Sequence, residues 1–374
     1  MCTPLDPGPS ARRQRSDSGE IVVRSSEIWH SDGSVVLQAG CTQFRVHWSV
    51  LSLHSSFFRD LQGLPQPPDE PQVEGCPLIQ LSDSSEDLET VLKSLYDPLF
   101  FLQPSLPLSV IASHIRLGRK YDLKNILAAV VERLTYENPS TLEEYDRLIG
   151  PSGGYFPTKF EFYRGAFLDV LTLARENNLF GVLPCAYWRA TFYTQAELFD
   201  GVQRPDGTLA TLSPADIRLC ILARIQMQKN QWDEGHSCGW LWTGGSERCK
   251  HNDSCGKSRT RLSQELVLKG EVRVFPQIDW MLERSKVCDA CKEDGRIKLA
   301  EGRRKMWELL PSFFELPPWA ELKMNCRCSC TRRCNAHIQK QIHTHTVTLI
   351  QSVREKSTAV RQSSSARPSS TPPT

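Results

Sequence analysis

The stretch from Ser31 to Leu61 constrains the fold of this chain more than any other part of the sequence. A short apolar run, Val35–Leu37, follows the turn residues Asp32-Gly33. Phe44–Val46 then alternates apolar and polar residues, as a half-buried strand does. Apolar residues next recur at helical spacing, namely Val50, Leu51, Phe57, Phe58 and Leu61. The stretch therefore predicts a β-hairpin that leads into one helix, whose apolar face needs a partner layer.

The rest of the N-terminal half provides such a layer. Ser84–Asp87 combines N-capping serines with acidic first-turn residues, and apolar residues then follow the helical repeat up to Pro98. Helical periodicity returns over Leu108–Ile115 and Asp122–Leu134, which predicts a helical hairpin. We therefore expect an α+β fold, with a small sheet covered by helices, as far as residue 137.

Changes in composition divide the chain into six segments. Residues 1–24, rich in Pro, Ser and Arg, are predicted to be disordered, whereas residues 25–137 hold the α+β pattern. Residues 138–160 are loop-like and are interpreted as a linker. The remaining segments are a helical region (161–235), a small Cys- and Trp-rich region (236–322) and a disordered basic tail (323–374).

Helical patterns recur through the C-terminal half, first at Glu161–Asn177 and around Pro184–Leu198. Ser213-Pro214 is a good N-cap and first-turn pair for a helix that runs to about Asn230. A short helix is expected at Glu265–Leu268, in otherwise irregular sequence. A charged helix is expected from Gly295 to Leu310, where Pro311 should end it.

Composition excludes several classes of function. The 374 residues carry a net charge of +2, which gives no global electrostatic reason to expect nucleic acid or a membrane surface as partner. The longest apolar runs fall short of the roughly 18 residues that a membrane span requires. The fourteen cysteines occur without a secretory signal pattern, so we expect reduced thiols or metal ligands, and a location in the cytoplasm or nucleus.

Two cysteine pairs are the sharpest chemical feature of the sequence. Cys249 and Cys255 are separated by five residues, and Cys288 and Cys291 by two. Four thiolates can close a tetrahedral zinc site, which would hold together a region that is poor in apolar residues. The alternative is a set of independent reduced thiols in a small core. Other candidate ligands are Cys238, His236 and His251.

A second group of cysteines and histidines lies in the basic tail. Its spacing is compatible with metal binding but is crowded for one site, and its low-complexity setting favours no specific role. The group comprises Cys326, Cys328, Cys330, Cys334, His337, His343 and His345.

The N-terminal pattern resembles the BTB/POZ domain. The resemblance rests on the acidic-Gly turn at Asp32-Gly33, on Phe44–His47 before the helix, on Ser55–Phe58, and on Leu117–Leu123 further along the chain. Shorter segments resemble the BTB-domain proteins that are numerous in mushroom-forming fungi, namely Gln43–His47, Leu64–Glu70, Glu74–Pro77, Leu95–Pro98, Trp307–Pro311 and Leu316–Trp319.

The resemblance implies a domain without catalytic residues that pairs with itself or with another BTB protein. In some members it also implies docking onto a cullin scaffold of ubiquitin ligases or onto transcriptional co-repressors. The candidate partner-binding residues are Val50, Leu51, Phe57 and Phe58. Asp32 and His47 are interpreted as structural, because no acid or nucleophile is paired locally with the histidine.

Two classes of function thus remain to be compared. The first is a non-enzymatic interaction protein, such as a substrate adaptor for a cullin-type ubiquitin ligase. The second is a transcription or chromatin regulator with a zinc-stabilised, nucleic-acid-binding C-terminal region.

Overall fold

The computed structural model describes residues 13–15, 21–64, 71–150, 154–270 and 272–322. The predicted basic tail, with its cysteines and histidines, lies outside the described residues, as does most of the N-terminal segment predicted to be disordered. Within that segment the structure differs from the prediction at two places, because β1 (Arg13–Arg15) pairs with the start of β2 (Ile21–Trp29).

The N-terminal sheet is built around the predicted hairpin. β3 (Val35–Ala39) and β4 (Thr42–Val46) pair in antiparallel register, and Gly33 precedes them where a Cβ would lie 2.8 Å from the Arg45 side chain. β5 (Gln72–Val73) and β6 (Cys76–Leu81) complete the sheet in the order β1-β2-β4-β3-β6-β5. β2 runs parallel to β4, and β6 runs parallel to β3.

The single helix expected after the hairpin is two short helices. α1 (Trp48–His54) ends at Ser55, whose extended backbone and side-chain oxygen cap α2 (Ser56–Gln62). The Ser55 hydroxyl also donates to the Tyr121 carbonyl oxygen at 2.5 Å. Both helices bury residues in the same core on the two sides of this break, namely Trp48 and Leu51 of α1 and Phe58 of α2.

The other helices of the N-terminal half agree with the periodicity of the sequence. α3 (Ser85–Tyr96) has Ser84 as its N-cap, and α4 (Leu108–Lys120) and α5 (Lys124–Glu137) form the expected helical hairpin. Their apolar faces and the hairpin form one core. The predicted α+β class, with a small sheet covered by helices, is confirmed.

The C-terminal half is mostly helical, as predicted. Its elements are α6 (Leu142–Leu148), α7 (Ala166–Glu176), α8 (Leu183–Ala190), α9 (Gln195–Asp200), β7 (Val202–Gln203), β8 (Leu209–Ala210), α10 (Pro214–Asn230), α11 (Asn252–Leu268), α12 (Ile278–Ser285) and α13 (Asp289–Phe313). α10 has the predicted bounds. The predicted short helix at Glu265–Leu268 is instead the end of the long α11, and Pro311 lies inside α13 rather than ending it. The helices of the described part of the chain are all too short or too polar to cross a membrane.

The segment expected to be a linker is held firmly against the first domain. It contains α6, and its buried end is fixed by Glu137, the last residue of α5, which is fully buried. The Glu137 carboxylate accepts hydrogen bonds from the backbone N–H groups of Thr158 and Lys159, both at 2.7 Å, and from the Tyr155 hydroxyl. The two halves therefore share an apolar core that runs from α4 and α5 into α7, α8, α10 and α13.

We expect Glu137→Ala to lower the free energy of unfolding by about 2–4 kcal/mol, because it removes the buried acceptor of two backbone N–H groups and a hydroxyl. Urea unfolding of the full chain measures this change. The matched control is Glu143→Ala in the exposed first turn of α6, which should change stability by less than about 0.5 kcal/mol. Equal effects of the two substitutions would contradict the assigned role of Glu137.

Candidate functional site

His47 and Asp32 link the first turn of the domain to α3. The Tyr96 hydroxyl oxygen accepts a hydrogen bond from the His47 backbone N–H at 2.9 Å and lies 3.0 Å from its Nδ1. The hydroxyl proton is thus directed to Nδ1, which leaves Nε2–H to face Asp32 Oδ1 at 3.2 Å. The pKa of Asp32 is lowered by its own backbone N–H and then by His47. This arrangement holds the turn in place and leaves His47 as a structural residue without a nucleophile.

The candidate partner-binding residues divide into two groups. Leu51 is fully buried and Phe58 is 3% exposed, with its ring stacked on Tyr121 at 5.0 Å between centroids. These two side chains belong to the core of the domain, so their assignment to a partner surface is corrected. Val50 and Phe57 remain partly accessible.

The accessible apolar surface of α1 includes a residue that sequence reasoning missed. Leu53 is 72% exposed and lies three residues after Val50, so the two side chains share one face of the helix. The i, i+3 spacing of Val50 and Leu53 is present in the sequence, but the prediction favours their apolar neighbours Leu51 and Phe58 instead. We call Val50 and Leu53 the α1 surface.

The four predicted cysteines come together at the start of two helices. Cys249 precedes α11 and Cys255 lies in its first turn, whereas Cys288 is the N-cap of α13 and Cys291 lies in its first turn. Their four Sγ atoms lie within 4.8 Å of one another. The Cys249 and Cys288 sulfurs are 3.7 Å apart, too far for a disulfide bond, in which they would be about 2.05 Å apart. The separation matches the edge of a tetrahedral zinc–thiolate site, about 3.8 Å for zinc–sulfur bonds of about 2.3 Å.

Backbone N–H groups point at all four sulfurs. Cys249 Sγ accepts from His251 at 3.4 Å, and Cys255 Sγ accepts from Cys288 at 3.3 Å. Cys288 and Cys291 receive the N–H groups of Cys291 and Ser246, respectively. Such donors stabilise a thiolate more than a thiol, as metal ligation requires.

The two cysteines of the second pair differ in acidity. The hydrogen bond from the Cys291 backbone N–H lowers the pKa of Cys288 to about 7, whereas burial raises the pKa of Cys291 to about 12. The cluster is closely packed, because a Cβ added at Gly245 would lie 3.2 Å from Cys291 Sγ and 2.8 Å from Arg259 Nη1.

The other candidate ligands lie outside this cluster. Cys238 is buried in a neighbouring core, where its sulfur faces the Arg273 carbonyl oxygen at 3.8 Å. His236 is buried and packs its backbone against Gly302. His251 is an exposed residue that contributes its backbone N–H group to the cluster.

Comparison with known families agrees with the geometry of the N-terminal half. Residues 30–138 match the family model described as BTB/POZ domain. The chain therefore contains a BTB/POZ domain, a module of protein–protein interaction. No curated protein matches the chain significantly. The predicted likeness to the BTB proteins of mushroom-forming fungi stays a prediction.

We expect iodoacetamide to label Cys288 of the metal-free chain before Cys291, because the nucleophile is the thiolate and Cys288 has the lower pKa and the more accessible side chain. Tandem mass spectrometry locates the label within the peptide that contains both residues. Buried Cys238, whose pKa burial raises to about 12, is the slow-reacting control. Labelling of Cys291 first would contradict the assigned geometry.

Proposed function

We propose that this chain is a non-enzymatic interaction protein whose BTB/POZ domain pairs with a second copy of itself or with another BTB protein. The observation that carries the proposal is the α1 surface on a domain of this family. Val50 and Leu53 project from one short helix that the chain's own core leaves partly uncovered. Phe57 on α2 is the third accessible residue of the candidate set.

The physical basis of the pairing is burial of apolar surface. A two-fold dimer places the same patch of both protomers in contact, so each exposed side chain counts twice. Fully burying a leucine side chain contributes about 1.5–3 kcal/mol relative to leaving it exposed. Leu53, at 72% exposure, therefore offers the largest gain among the residues of the α1 surface.

We expect the full chain to form a dimer and Leu53→Asp to shift it to a monomer, since a carboxylate on each protomer would be forced into the same apolar contact. Size-exclusion chromatography with light scattering measures the mass. The control is Leu268→Asp, a change to an even more exposed leucine at the end of α11, outside the BTB/POZ domain. A wild-type monomer at high micromolar concentration, or a Leu53→Asp dimer of undiminished stability, would remove the homodimer proposal.

We propose further that the domain acts as an adaptor, with a cullin scaffold of ubiquitin ligases or a co-repressor as its second partner. An adaptor needs a second surface that pairing leaves open, and the loop after α3 carries one. Leu99, the N-cap of a short 3₁₀-helix, is 63% exposed, and Leu102, the last residue of that helix, is 74% exposed. Biolayer interferometry compares the binding of purified cullin and co-repressor fragments to the wild-type chain and to the Leu102→Asp variant. The fragment that binds the wild-type chain, and binds this variant less, is the second partner.

We also propose that the four clustered cysteines hold a structural zinc ion. The closed set of four sulfur ligands suits a structural site rather than a catalytic one, which keeps an open position. It also fits a chain that resides in the cytoplasm or nucleus, where thiols stay reduced. The role of the metal is to fix the N-termini of α11 and α13 to each other.

We expect one zinc ion per chain, measured by inductively coupled plasma mass spectrometry on protein purified without added chelator. Cys288→Ser should remove the metal and lower the thermal midpoint, since the remaining thiolates would repel one another. Cys238→Ser, a buried cysteine outside the cluster, should keep the metal. Absence of stoichiometric metal from the wild-type chain would end the zinc proposal.

The alternative function is nucleic-acid binding by the region around this cluster. It draws on the exposed cation Lys257 of α11, but Asp253 pairs with that side chain at 2.7 Å. Acidic and basic residues are interspersed through the region, so its charge favours a protein partner. Fluorescence anisotropy with a labelled DNA duplex at physiological salt decides between the two, and tight binding there would favour the alternative.

A further inference from the structure

A cleft of about 500 Å³ opens between the helices of the C-terminal half. Its walls come from α6, α8 and α10 on one side, and from residues 269–270, residues 272–277 and α12 on the other. The cleft is remote in sequence from the α1 surface and shares no residue with the cysteine cluster. Nothing in the function proposed above uses it.

Aromatic rings form much of the cleft wall and contact one another edge to face. Trp188 is the central ring, with the centroid of Phe192 at 4.7 Å and that of Phe275 at 5.4 Å. Trp188 Nε1 donates to the Tyr145 hydroxyl at 3.3 Å, which fixes the orientation of the indole. Phe192 is 57% exposed at the mouth of the cleft. These rings offer a preformed apolar surface with one edge open to solvent.

The charged residues of the cleft are all basic in the described part of the chain. Arg224, Lys269 and Arg273 line it, and no described lining residue carries a negative charge. Lys269 pairs with Glu265, which also receives Arg284. The three lining cations therefore outnumber Glu265, the described acid that pairs with Lys269.

Three arginines in or beside the cleft wall are held in place by contacts with the protein. Arg224 Nη1 donates to the carbonyl oxygens of Thr191 at 3.2 Å and of Tyr193 at 3.1 Å, which immobilises the guanidinium. Arg273 lies 4.8 Å above the ring of Trp280, and Arg284 lies 5.3 Å from the same ring. Guanidinium groups oriented in this way are pre-organised to bind a carboxylate.

We propose that this cleft binds a peptide segment of a partner protein, in which an acidic residue stands next to an aromatic or large aliphatic one. The apolar side chain would pack against Trp188, Phe275 and Trp280, and the carboxylate would meet the cations at the rim. The basic lining disfavours a cationic ligand such as lysine, because like charges repel. An aromatic cage that binds a cation has acidic neighbours or no charged neighbours. A peptide fits better than a buried metabolite, because the cleft is open at Phe192 and belongs to a chain with a protein-interaction module.

The cleft adds a second recognition site to the proposed interaction protein, and it does not depend on pairing of the BTB/POZ domain. Arg303 of α13 donates to the Asp146 carboxylate in α6, next to Tyr145 of the cleft wall. Trp307 of α13 contacts Tyr145 at 5.3 Å and Phe275 at 5.2 Å between ring centroids. The wall is thus supported from behind by the shared core, as a preformed site requires.

The test is selection of peptides from a random phage-displayed library on the immobilised full chain. We expect enrichment of peptides that combine an acidic residue with an adjacent aromatic or large aliphatic residue. Exchange of that acidic residue for its amide should weaken binding of the labelled peptide about tenfold, measured by fluorescence polarisation. Enrichment of basic peptides, or no enrichment over an unrelated immobilised protein, would overturn the proposal.

Two pairs of variants locate the binding of the selected peptide. Lys269→Glu and Trp280→Ala should each weaken it tenfold or more, whereas Lys257→Glu and Trp242→Ala, changes to exposed residues outside the cleft, should leave it unchanged. Circular dichroism confirms that each variant is folded. Unchanged binding by the folded Lys269→Glu and Trp280→Ala variants would place the peptide elsewhere and sink the proposal.

A separate control distinguishes this inference from the dimer proposal. The Leu53→Asp variant should bind the selected peptide with wild-type affinity whether or not the chain pairs. Competition with a nucleotide tests whether the cleft binds a small anion instead. Displacement of the peptide by the nucleotide, together with weaker nucleotide binding by Lys269→Glu, would assign the cleft to a small anion.

Discussion

The buried carboxylate of Glu137 is the interaction on which the organisation of this chain depends. A carboxylate withdrawn from water is destabilising unless hydrogen bonds and a compensating charge surround it. The segment from Tyr155 to Lys159 provides the hydrogen bonds. Arg189, a buried cation of α8, lies 3.3 Å above the ring of Tyr155, whose hydroxyl donates to this carboxylate. One tyrosine thus lies between the acid at the end of the BTB/POZ domain and the cation of α8.

Because of this arrangement, the two halves pack on each other and are not separate domains joined by a free linker. Among the described residues, the guanidinium nitrogens of Arg189 have no hydrogen-bond partner, and the group instead lies over the rings of Tyr155 and Phe167. Arg133 adds to the connection, because its guanidinium donates to carbonyl oxygens of residues 101, 103 and 159. The apolar faces of α4 and α5 therefore pack on the helices of the C-terminal half. α4 and α5 also contribute residues to the core beneath α1, so these two helices connect the core of the BTB/POZ domain with the core behind the cleft.

The sequence predicts elements best where local signals and burial agree. The hairpin, α3 and α10 follow from turn residues, N-cap serines and periodicity, all of which are local. Local signals could not predict which residues of α1 and α2 are accessible. Leu51 and Phe58 are buried by contacts with residues distant in sequence, such as the stacking of Phe58 on Tyr121. α11 escaped prediction because its sequence is polar and contains Gly256. Pro311 is tolerated in the last turn of α13 because tertiary packing buries it there.

For the cysteine cluster, the spacing in the sequence was enough to predict the four members. Their geometry depends on two helices that are distant in sequence. Each pair occupies a helix N-terminus, where the partial positive charge of the helix dipole favours an anionic sulfur. Val287 is the one fully apolar residue that the described structure buries in this cluster besides the cysteines, so packing alone gives little stability. Four thiolates brought together without a cation would repel one another, and four neutral thiols would leave the directed N–H groups with weak acceptors. A bound divalent ion would resolve both conflicts, which is the physical reason for proposing a metal rather than a core of reduced cysteines.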